Sequence, residues 1–253
     1  MIRIGRWGPL YGAILFFAMW QVGADSVGTP LLFPGPLVVW EGFWRLAETG
    51  EYFEHAGATL QRLIVGMAVG IPFGATLGCA MGASRDLNAW FDPYVRMANS
   101  TPAIALIPFA LLWFGVTEFA RYSLVFYTAF LVLALSARQG VTQVPYLRIK
   151  AANTLGVVGI SAFFRVIVPS SFPAILSGIR TATGLGVMVV VAAEMLGAAN
   201  GLGFLIILGR QNYDPTLIFI GIFSLGVISL VLDRGFQFCI ERFMPRWSVK
   251  RRV

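Results

Sequence analysis

The sequence predicts an all-α integral membrane protein with six transmembrane helices, and three observations support this class. Hydrophobic residues make up 57% of the 253 residues and charged residues only 12%, and the mean hydropathy is +0.76. A soluble domain carries roughly 25% charged residues. Six segments are apolar over about 20 residues, the length that crosses a bilayer. The basic residues flank these segments, so the net charge of +7 indicates orientation in a membrane and not nucleic-acid binding.

The spans are predicted at residues 8–24, 59–81, 98–115, 120–137, 177–198 and 216–233. The first apolar run follows two arginines, as in a signal peptide. We nevertheless expect a retained helix, because aromatic residues interrupt the run and no convincing cleavage site follows it.

The distribution of basic residues predicts the orientation of the spans. If the N-terminus is cytoplasmic, the outer side keeps only Arg45, Arg62, Arg121 and Arg210 of the 19 Lys and Arg residues. Such a bias is the positive-inside signal. Both termini are therefore predicted to be cytoplasmic, in a multi-pass inner-membrane protein.

Metal and disulfide chemistry have few candidate residues in this chain. His55 is the one histidine, and it is predicted in an outer loop. Cys79 and Cys239 lie in or beside apolar runs, so we expect neither a disulfide framework nor a protein metal site. An enzyme would need paired carboxylates, a Ser–His pair or metal ligands at membrane depth, and the sequence offers no such set.

The second span contains a glycine at every fourth position. These residues form a slowly winding stripe along one helix face: Gly66, Gly70, Gly74, Gly78 and Gly82. Small residues let helices approach closely in lipid, so the stripe predicts tight packing; a surface that slides during a conformational cycle is the alternative. Pro72 is expected to bend this helix.

Candidate residues for a transport path lie in the third and fifth spans. Prolines interrupt the third span, and broken spans occur where backbone faces protein or a water-filled cavity, although packing alone is an equal explanation. Glu194 is predicted inside the fifth span, where its carboxylate either faces a cavity or partner or is solvated at the outer interface. The candidates are Thr101, Pro102, Pro108, Met188 and Glu194.

Two further segments are predicted at the membrane surface. In residues 25–57, tryptophans alternate with charges, which predicts a helix in the outer interface; a docking surface for an external partner is the alternative. The basic tail 242–253 is expected to contact anionic lipid.

The most informative segment is KAANTLGVVGISAFFRVIVP, residues 150–169, between the fourth and fifth spans. A short helix is predicted to end at Gly156, and a second from Gly159 to be stopped by Pro169. Phe163, Phe164 and two neighbouring aliphatic residues are expected to be buried on one side. Such a partly apolar cytoplasmic segment is suited to binding a soluble partner.

This segment resembles the signature of permease subunits of bacterial ATP-binding-cassette (ABC) importers. That signature is E-A-A, three residues, G, nine residues, I-x-L-P, and the chain has Lys150-Ala151-Ala152, Gly156 and Val166-Ile167-Val168-Pro169 at the same spacing. TPAIALIPFALLWFG, VAAEMLGAANGLGFLI and the count of six spans extend the resemblance. The chain is most similar to the branch that imports taurine, aliphatic sulfonates, nitrate or bicarbonate. Lys150 departs from the signature by a charge reversal, which puts in doubt the salt bridge that a glutamate would make.

The resemblance implies a type I importer (MetI-like) permease fold with a cytoplasmic coupling helix. It divides the chain into a first helix with an outer interfacial segment (1–56), a permease domain (57–241) with its coupling segment at 150–169, and a tail (242–253). It further implies pairing with a second permease copy, two cytoplasmic ATPase subunits and a periplasmic binding protein. The residues implied in ATPase coupling are Lys150, Ala151, Ala152, Gly156, Gly159, Phe163 and Pro169.

ATP and Mg²⁺ would then be bound by the ATPase, because this chain has no G-x-x-x-x-G-K-[ST] motif and is expected to bind no cofactor. The resemblance favours taurine or another sulfonate as substrate, and leaves nitrate, bicarbonate, small aromatic acids and pyrimidine precursors open. An ion-coupled carrier is the alternative from another class. It would need internal symmetry and intramembrane coupling charges, neither of which is evident.

Overall fold

The computed structural model describes residues 8–243, and this part of the chain is built from helices without strands. The α-helices are α1 (Gly8–Val27), α2 (Pro36–Thr49), α3 (Glu51–Ala83), α4 (Arg85–Ser100), α5 (Ile107–Phe114), α6 (Glu118–Thr142), α7 (Tyr146–Thr154), α8 (Gly159–Ala162), α9 (Val168–Gly197), α10 (Leu202–Gln211) and α11 (Pro215–Phe243). A 3₁₀ turn (Ala103–Leu106) precedes α5, and a π-helical turn (Phe163–Ile167) joins α8 to α9. All but the first two residues of the predicted basic tail lie outside the described residues.

Within residues 8–243, five helical segments are long and apolar enough to cross a membrane, and a bent pair supplies a sixth if it is counted as one span. The single segments contain α1, α3, α6, α9 and α11. The sixth joins α4 to the 3₁₀ turn and α5 across an 85° bend. The third predicted span, 98–115, is therefore not one helix. It breaks after Ser100, because Pro102 lacks the backbone N–H that would continue α4 and disfavours helical geometry at Thr101, whose ψ is 118°.

The glycine stripe of α3 packs directly on α6, which confirms the predicted tight packing and identifies the partner helix. A Cβ added at Gly66 would lie 2.5 Å from Val125 Cβ, and one at Gly70 would lie 2.8 Å from both Ala129 Cβ and the Phe126 carbonyl oxygen. Separations this short leave no room for a methyl group. The backbones of α3 and α6 are therefore in contact along the stripe, and small residues are required there.

α6 occupies the centre of the helical bundle. Its other face packs against α9, where Gly178 approaches the Ser136 side chain and Ala182 is fully buried beside Leu133. Near the start of α6, Ala120 and Leu124 form a cluster with Ile107 of α5 and Val189 of α9. Because α6 contacts α3, α5 and α9, it holds three helices at fixed relative positions.

The fifth span begins earlier than predicted, and Pro169 does not end a helix. The chain is helical without a break from Gly159 to Gly197, and Pro169 is the second residue of α9. Proline has no backbone N–H and would break a regular α-helix at this position. The turn directly before α9, Phe163–Ile167, is a wider π-helical turn, and it accommodates the missing hydrogen bond. Phe164 was predicted to be buried and is 64% exposed.

The N-terminal helices pack against the other end of the chain. Trp20 of α1 stacks on Phe219 and Phe223 of α11, and its indole N–H donates to the Pro34 carbonyl over 3.0 Å. α2 confirms the helix predicted within residues 25–57, and it exposes Trp40 and Trp44. Its interfacial position remains a prediction.

Candidate coupling segment and buried ion cluster

The predicted coupling segment forms a helix–turn–helix, α7–α8 (residues 146–162). The turn has the hydrogen bonds of a Schellman motif: Gly156 N–H donates to the Asn153 carbonyl and Val157 N–H to the Ala152 carbonyl, each over 3.0 Å. Gly156 has a φ of +76°, a left-handed conformation that favours glycine. The predicted C-terminal break at Gly156 is therefore confirmed, and α7 itself ends at Thr154.

The coupling candidates differ in how they face the rest of the chain. Lys150 and Ala151 are exposed, whereas Ala152 is buried. Phe163 is half-buried against a cluster formed by Cys79, Ala137 and Val141. Gly159, with a φ of +60°, opens α8, and Pro169 lies at the start of α9.

Apolar side chains surround this turn without being covered by the chain. Leu155 is 82% exposed and Ile160 is 78% exposed, and Val158 between them is also exposed. A surface of this kind, on a short segment between two spans, is typical of a contact site.

The predicted path residues fall in two places. Thr101, Pro102 and Pro108 are exposed along the bend between α4 and α5. Met188 is 63% exposed on α9, next to Val189, which packs on α5. Four of the five candidates are therefore exposed, while Glu194 is not.

Glu194 is 1% exposed, which excludes the interpretation that its carboxylate is solvated at the outer interface. Its Oε1 accepts a hydrogen bond from Arg62 Nη1 over 2.8 Å, and Thr59 Oγ1 donates to the same carboxylate over 2.9 Å. The carboxylate thus faces charged and polar partners within the chain and not an open cavity. The sequence alone is compatible with either a cavity or a partner group for this carboxylate. The geometry fits a partner group, which Arg62 and Thr59 of the same chain supply.

Arg62 is the centre of what we call the ion cluster: Thr59, Arg62, Glu118, Arg121, Glu194 and Asn200. A guanidinium has five N–H donors, and all five are used. Two bind Glu118 over 2.7 and 2.6 Å, one binds Glu194, and two bind the carbonyl and side-chain oxygens of Asn200 over 2.8 and 2.6 Å. Arg62 is 2% exposed and has no donor left for a substrate.

The second arginine of the cluster completes the charge balance. Arg121 Nη1 donates to Glu118 over 2.7 Å, and Nη2 donates to the Gly197 carbonyl at the end of α9. Two arginines and two carboxylates make the cluster neutral. The Glu118 side chain is 47% exposed and the other three are at most 4% exposed, so Glu118 is the one charged member in contact with the surroundings.

The ion cluster also caps α10, a helix too short to cross a bilayer. Its N-cap residue, Gly201, has no side chain to accept the first N–H groups. Thr59 Oγ1 accepts from Leu202 N–H over 2.9 Å, and Glu194 accepts from Gly203 N–H over 2.8 Å. A carboxylate at a helix N-terminus is also favoured by the helix dipole. Residues of α3 and α9 therefore supply the cap that α10 lacks.

The local sequence explains this close approach. Gly201 has a φ of +117°, and a Cβ there would lie 2.6 Å from both Glu194 carboxylate oxygens. The glycines of NGLG were predicted to suit a turn, and the structure confirms that for Gly201. His55 was predicted in a loop but belongs to α3, where its Nδ1 accepts from Gly201 N–H over 3.2 Å.

Sequence reasoning missed every member of the ion cluster except Glu194. A signal was available, because Arg62 and Arg121 fall inside predicted spans 59–81 and 120–137, near the same predicted end as Glu194. Charges at membrane depth are expected to pair with one another. The role of Asn200 had no such signal, since Asn200 is uncharged and lies in the predicted turn that follows the fifth span.

Comparison with known proteins identifies the family. Residues 70–245 match the model of the family described as binding-protein-dependent transport system inner membrane component. An inward-facing methionine ABC transporter MetNI structure is similar with a TM-score of 0.56 and 20% identity, covering 82% of this chain and 98% of that one. That likeness shows the fold.

Several curated relatives are similar over most of the chain. The taurine transport system permease protein TauC of Escherichia coli is 30% identical, covering 92% of this chain and 86% of the relative. The putative aliphatic sulfonates transport permease protein SsuC of the same organism is 29% identical, with 98% and 93% covered. The formylaminopyrimidine transport permease protein ThiX of Halalkalibacterium halodurans is 28% identical, with 96% of both covered. The chain belongs to the family of binding-protein-dependent transport system inner membrane components.

Proposed function

We propose that this permease carries taurine or another aliphatic sulfonate across the inner membrane in an ATP-driven importer. The observation that supports ATP coupling is the α7–α8 segment, whose glycine turn carries exposed Leu155 and Ile160 between two spans. A soluble ATPase subunit would cover these side chains, bind ATP and Mg²⁺, and transmit its closure to α9 through the continuous helix that begins at Gly159.

The charge distribution supports the proposed orientation, with both termini and the α7–α8 segment in the cytoplasm. Arg62 and Arg121 were two of the four cations expected on the outer side, and both are neutralised inside the ion cluster. Arg45 and Arg210 are the remaining outer cations of the predicted topology. Cations on the predicted cytoplasmic side are paired as well, Arg96 and Arg138 with Asp92 and Arg180 with Asp233. The orientation is therefore supported by the larger number of basic residues on that side.

Pairing with a second permease copy is part of this proposal. Leu112 is 81% exposed and Trp113 is 69% exposed on α5, beside the bend that holds Thr101 and Pro102. A second copy or lipid must cover these side chains. We propose that the copies meet near this region and that the exposed path candidates, Thr101, Pro102, Pro108 and Met188, line the space between them, where a periplasmic binding protein delivers substrate.

The names of the relatives support the substrate class. TauC and SsuC are named for taurine and aliphatic sulfonates, and both are similar over at least nine-tenths of this chain. ThiX, named for formylaminopyrimidine, is similar over a comparable length, so a pyrimidine precursor is the second candidate.

ATPase activity of the reconstituted complex tests this function. The permease is combined in lipid with its genomically adjacent ATPase, and binding proteins loaded with taurine, an alkanesulfonate, nitrate or a formylaminopyrimidine are added in turn. Stimulation by the sulfonate-loaded proteins is expected. If only another loaded protein stimulates hydrolysis, the ligand of that protein is the substrate instead of a sulfonate. Failure of a well-folded ATPase to bind the permease would contradict the role of the α7–α8 segment.

A further inference from the structure

Most of α7 is left uncovered by the described part of the chain, and only the side with Ile149 and Ala152 is covered. Ile149 and Ala152 point inward as half-buried and buried residues. The residues at spacings of three and four on the opposite side are all exposed: Leu147, Lys150, Ala151, Thr154 and Leu155. Leu147 is 78% exposed and Leu155 is 82% exposed. This is the spacing by which a helix places anchors in a groove of a partner protein.

Lys150 is the cation at the centre of this face. The other cation of α7, Arg148, donates through Nη1 to Ser170 Oγ over 3.0 Å and is thereby used within the chain. The sequence contains no Asp or Glu between Glu118 and Glu194, so no acidic residue of the α7–α8 segment can pair with Lys150. Lys150 is exposed in the chain alone. A partner that covers Leu147 and Leu155 would also remove the Lys150 ammonium from water, and it must then supply a negative charge, because a desolvated and unpaired ammonium is costly.

We infer that the exposed face of α7 binds a groove of the ATPase subunit that carries a carboxylate opposite Lys150, with apolar pockets for Leu147 and Leu155. This inference rests on the proposed function, and it adds the chemistry of the partner surface. The ATPase of this importer is thereby matched to its own permease by charge, since a groove suited to a glutamate at this position repels Lys150.

An anionic membrane surface is the other chemistry that attracts a cation. A helix lying on lipid keeps its lysines along the edges of the apolar face, from which they reach the headgroups. Lys150 lies in the middle of the face, one helical turn from Leu147 and between it and Leu155. A protein groove with a carboxylate at its centre fits this arrangement better than a lipid surface does.

The test measures binding of the ATPase to the full-length permease in nanodiscs of neutral lipid. Lys150→Glu is expected to weaken binding roughly tenfold or more, because it places like charges opposite each other. Lys150→Arg, which keeps the charge, is expected to retain most of the affinity. Arg165→Glu is the matched control, since Arg165 is an exposed cation of the neighbouring turn and lies off the face of α7.

A second set of measurements identifies the partner charge. Asp→Lys and Glu→Lys variants of the ATPase groove are combined with Lys150→Glu, and one of them is expected to restore binding. Equal binding of the wild type and Lys150→Glu would overturn the inference and leave the proposed function intact. An effect of Lys150→Glu that appears only in anionic lipid would also overturn it, in favour of the membrane surface. Failure of the wild-type permease to bind the ATPase would instead overturn the proposed function.

Discussion

Arg62 Nη1 and Glu194 Oε1 lie 2.8 Å apart, although the two residues are separated by 132 positions in the chain. Arg62 comes from α3 and Glu194 from α9, and both side chains are at most 2% exposed. Attraction between charges is strong where water is excluded, but each charge alone would be costly there. The pair therefore makes the relative position of α3 and α9 depend on both residues being present.

The first prediction concerns loss of the central cation. Arg62→Met leaves two carboxylates without their main partner, and we expect it to destabilise the folded protein by about 3–5 kcal/mol. Thermal unfolding of purified protein in nanodiscs measures the change, together with the yield of monodisperse protein.

Arg180→Met is the matched control for that variant. Arg180 pairs with Asp233 over 2.5 Å, but the two side chains are 56% and 29% exposed. Loss of such an exposed pair is expected to cost about 0–1 kcal/mol. Equal losses for the two variants would show that burial of the Arg62 cluster does not strengthen its contribution.

The second prediction tests the cap of α10. Thr59→Val keeps the shape of the side chain but removes the hydroxyl that accepts from Leu202 N–H and donates to Glu194. We expect a loss of about 1–3 kcal/mol, because a buried N–H is left unpaired. Hydrogen exchange at the start of α10 should increase.

Thr76→Val provides the control, since the Thr76 hydroxyl donates only to the Pro72 carbonyl on an exposed part of α3. We expect nearly unchanged stability for this variant. If α10 exchanges at the same rate in both variants, Thr59 does not act as its cap.

The third prediction tests backbone contact between α3 and α6. In Gly70→Ala the new methyl group would lie 2.8 Å from Ala129 Cβ and from the Phe126 carbonyl oxygen. Overpacking of this kind costs about 1–3 kcal/mol. Gly184→Ala is the control, because nothing lies within 4 Å of its added methyl group, and alanine favours the helix. The free energy of unfolding should therefore decrease for Gly70→Ala and increase for Gly184→Ala. A stabilised Gly70→Ala variant would disprove the close contact.

Features that depend on short stretches of sequence could be predicted, and the structure shows why. The glycine stripe and the turn at Gly156 each follow from local backbone requirements, because only glycine fits a close approach or a positive φ. The spans follow from apolar length alone. The break at Pro102 could be expected from the proline, although its 85° angle could not, because packing of α5 against α6 and α9 sets it.

The ion cluster could not be assembled from the sequence, because its members come from three distant parts of the chain: α3, the start of α6, and the end of α9 with the turn after it. Glu194, Arg62 and Arg121 each fall inside a predicted span, but the sequence does not show which of these charges pair with one another. The prediction that Pro169 stops a helix was wrong for a local reason. Proline usually stops a helix, and here a π-helical turn before it lets the helix continue.

The last prediction concerns the turn at Gly156, whose φ of +76° is disfavoured for β-branched residues. Gly156→Val is expected to distort the turn and abolish coupled uptake while the protein remains inserted and folded, because nothing packs within 4 Å of a side chain there. Gly156→Asn should retain uptake, since asparagine tolerates the left-handed conformation. Uptake and ATP hydrolysis are measured together in proteoliposomes. Hydrolysis without uptake in Gly156→Val would show that the turn transmits the ATPase motion to α9, whereas normal uptake would mean that coupling does not require this backbone geometry.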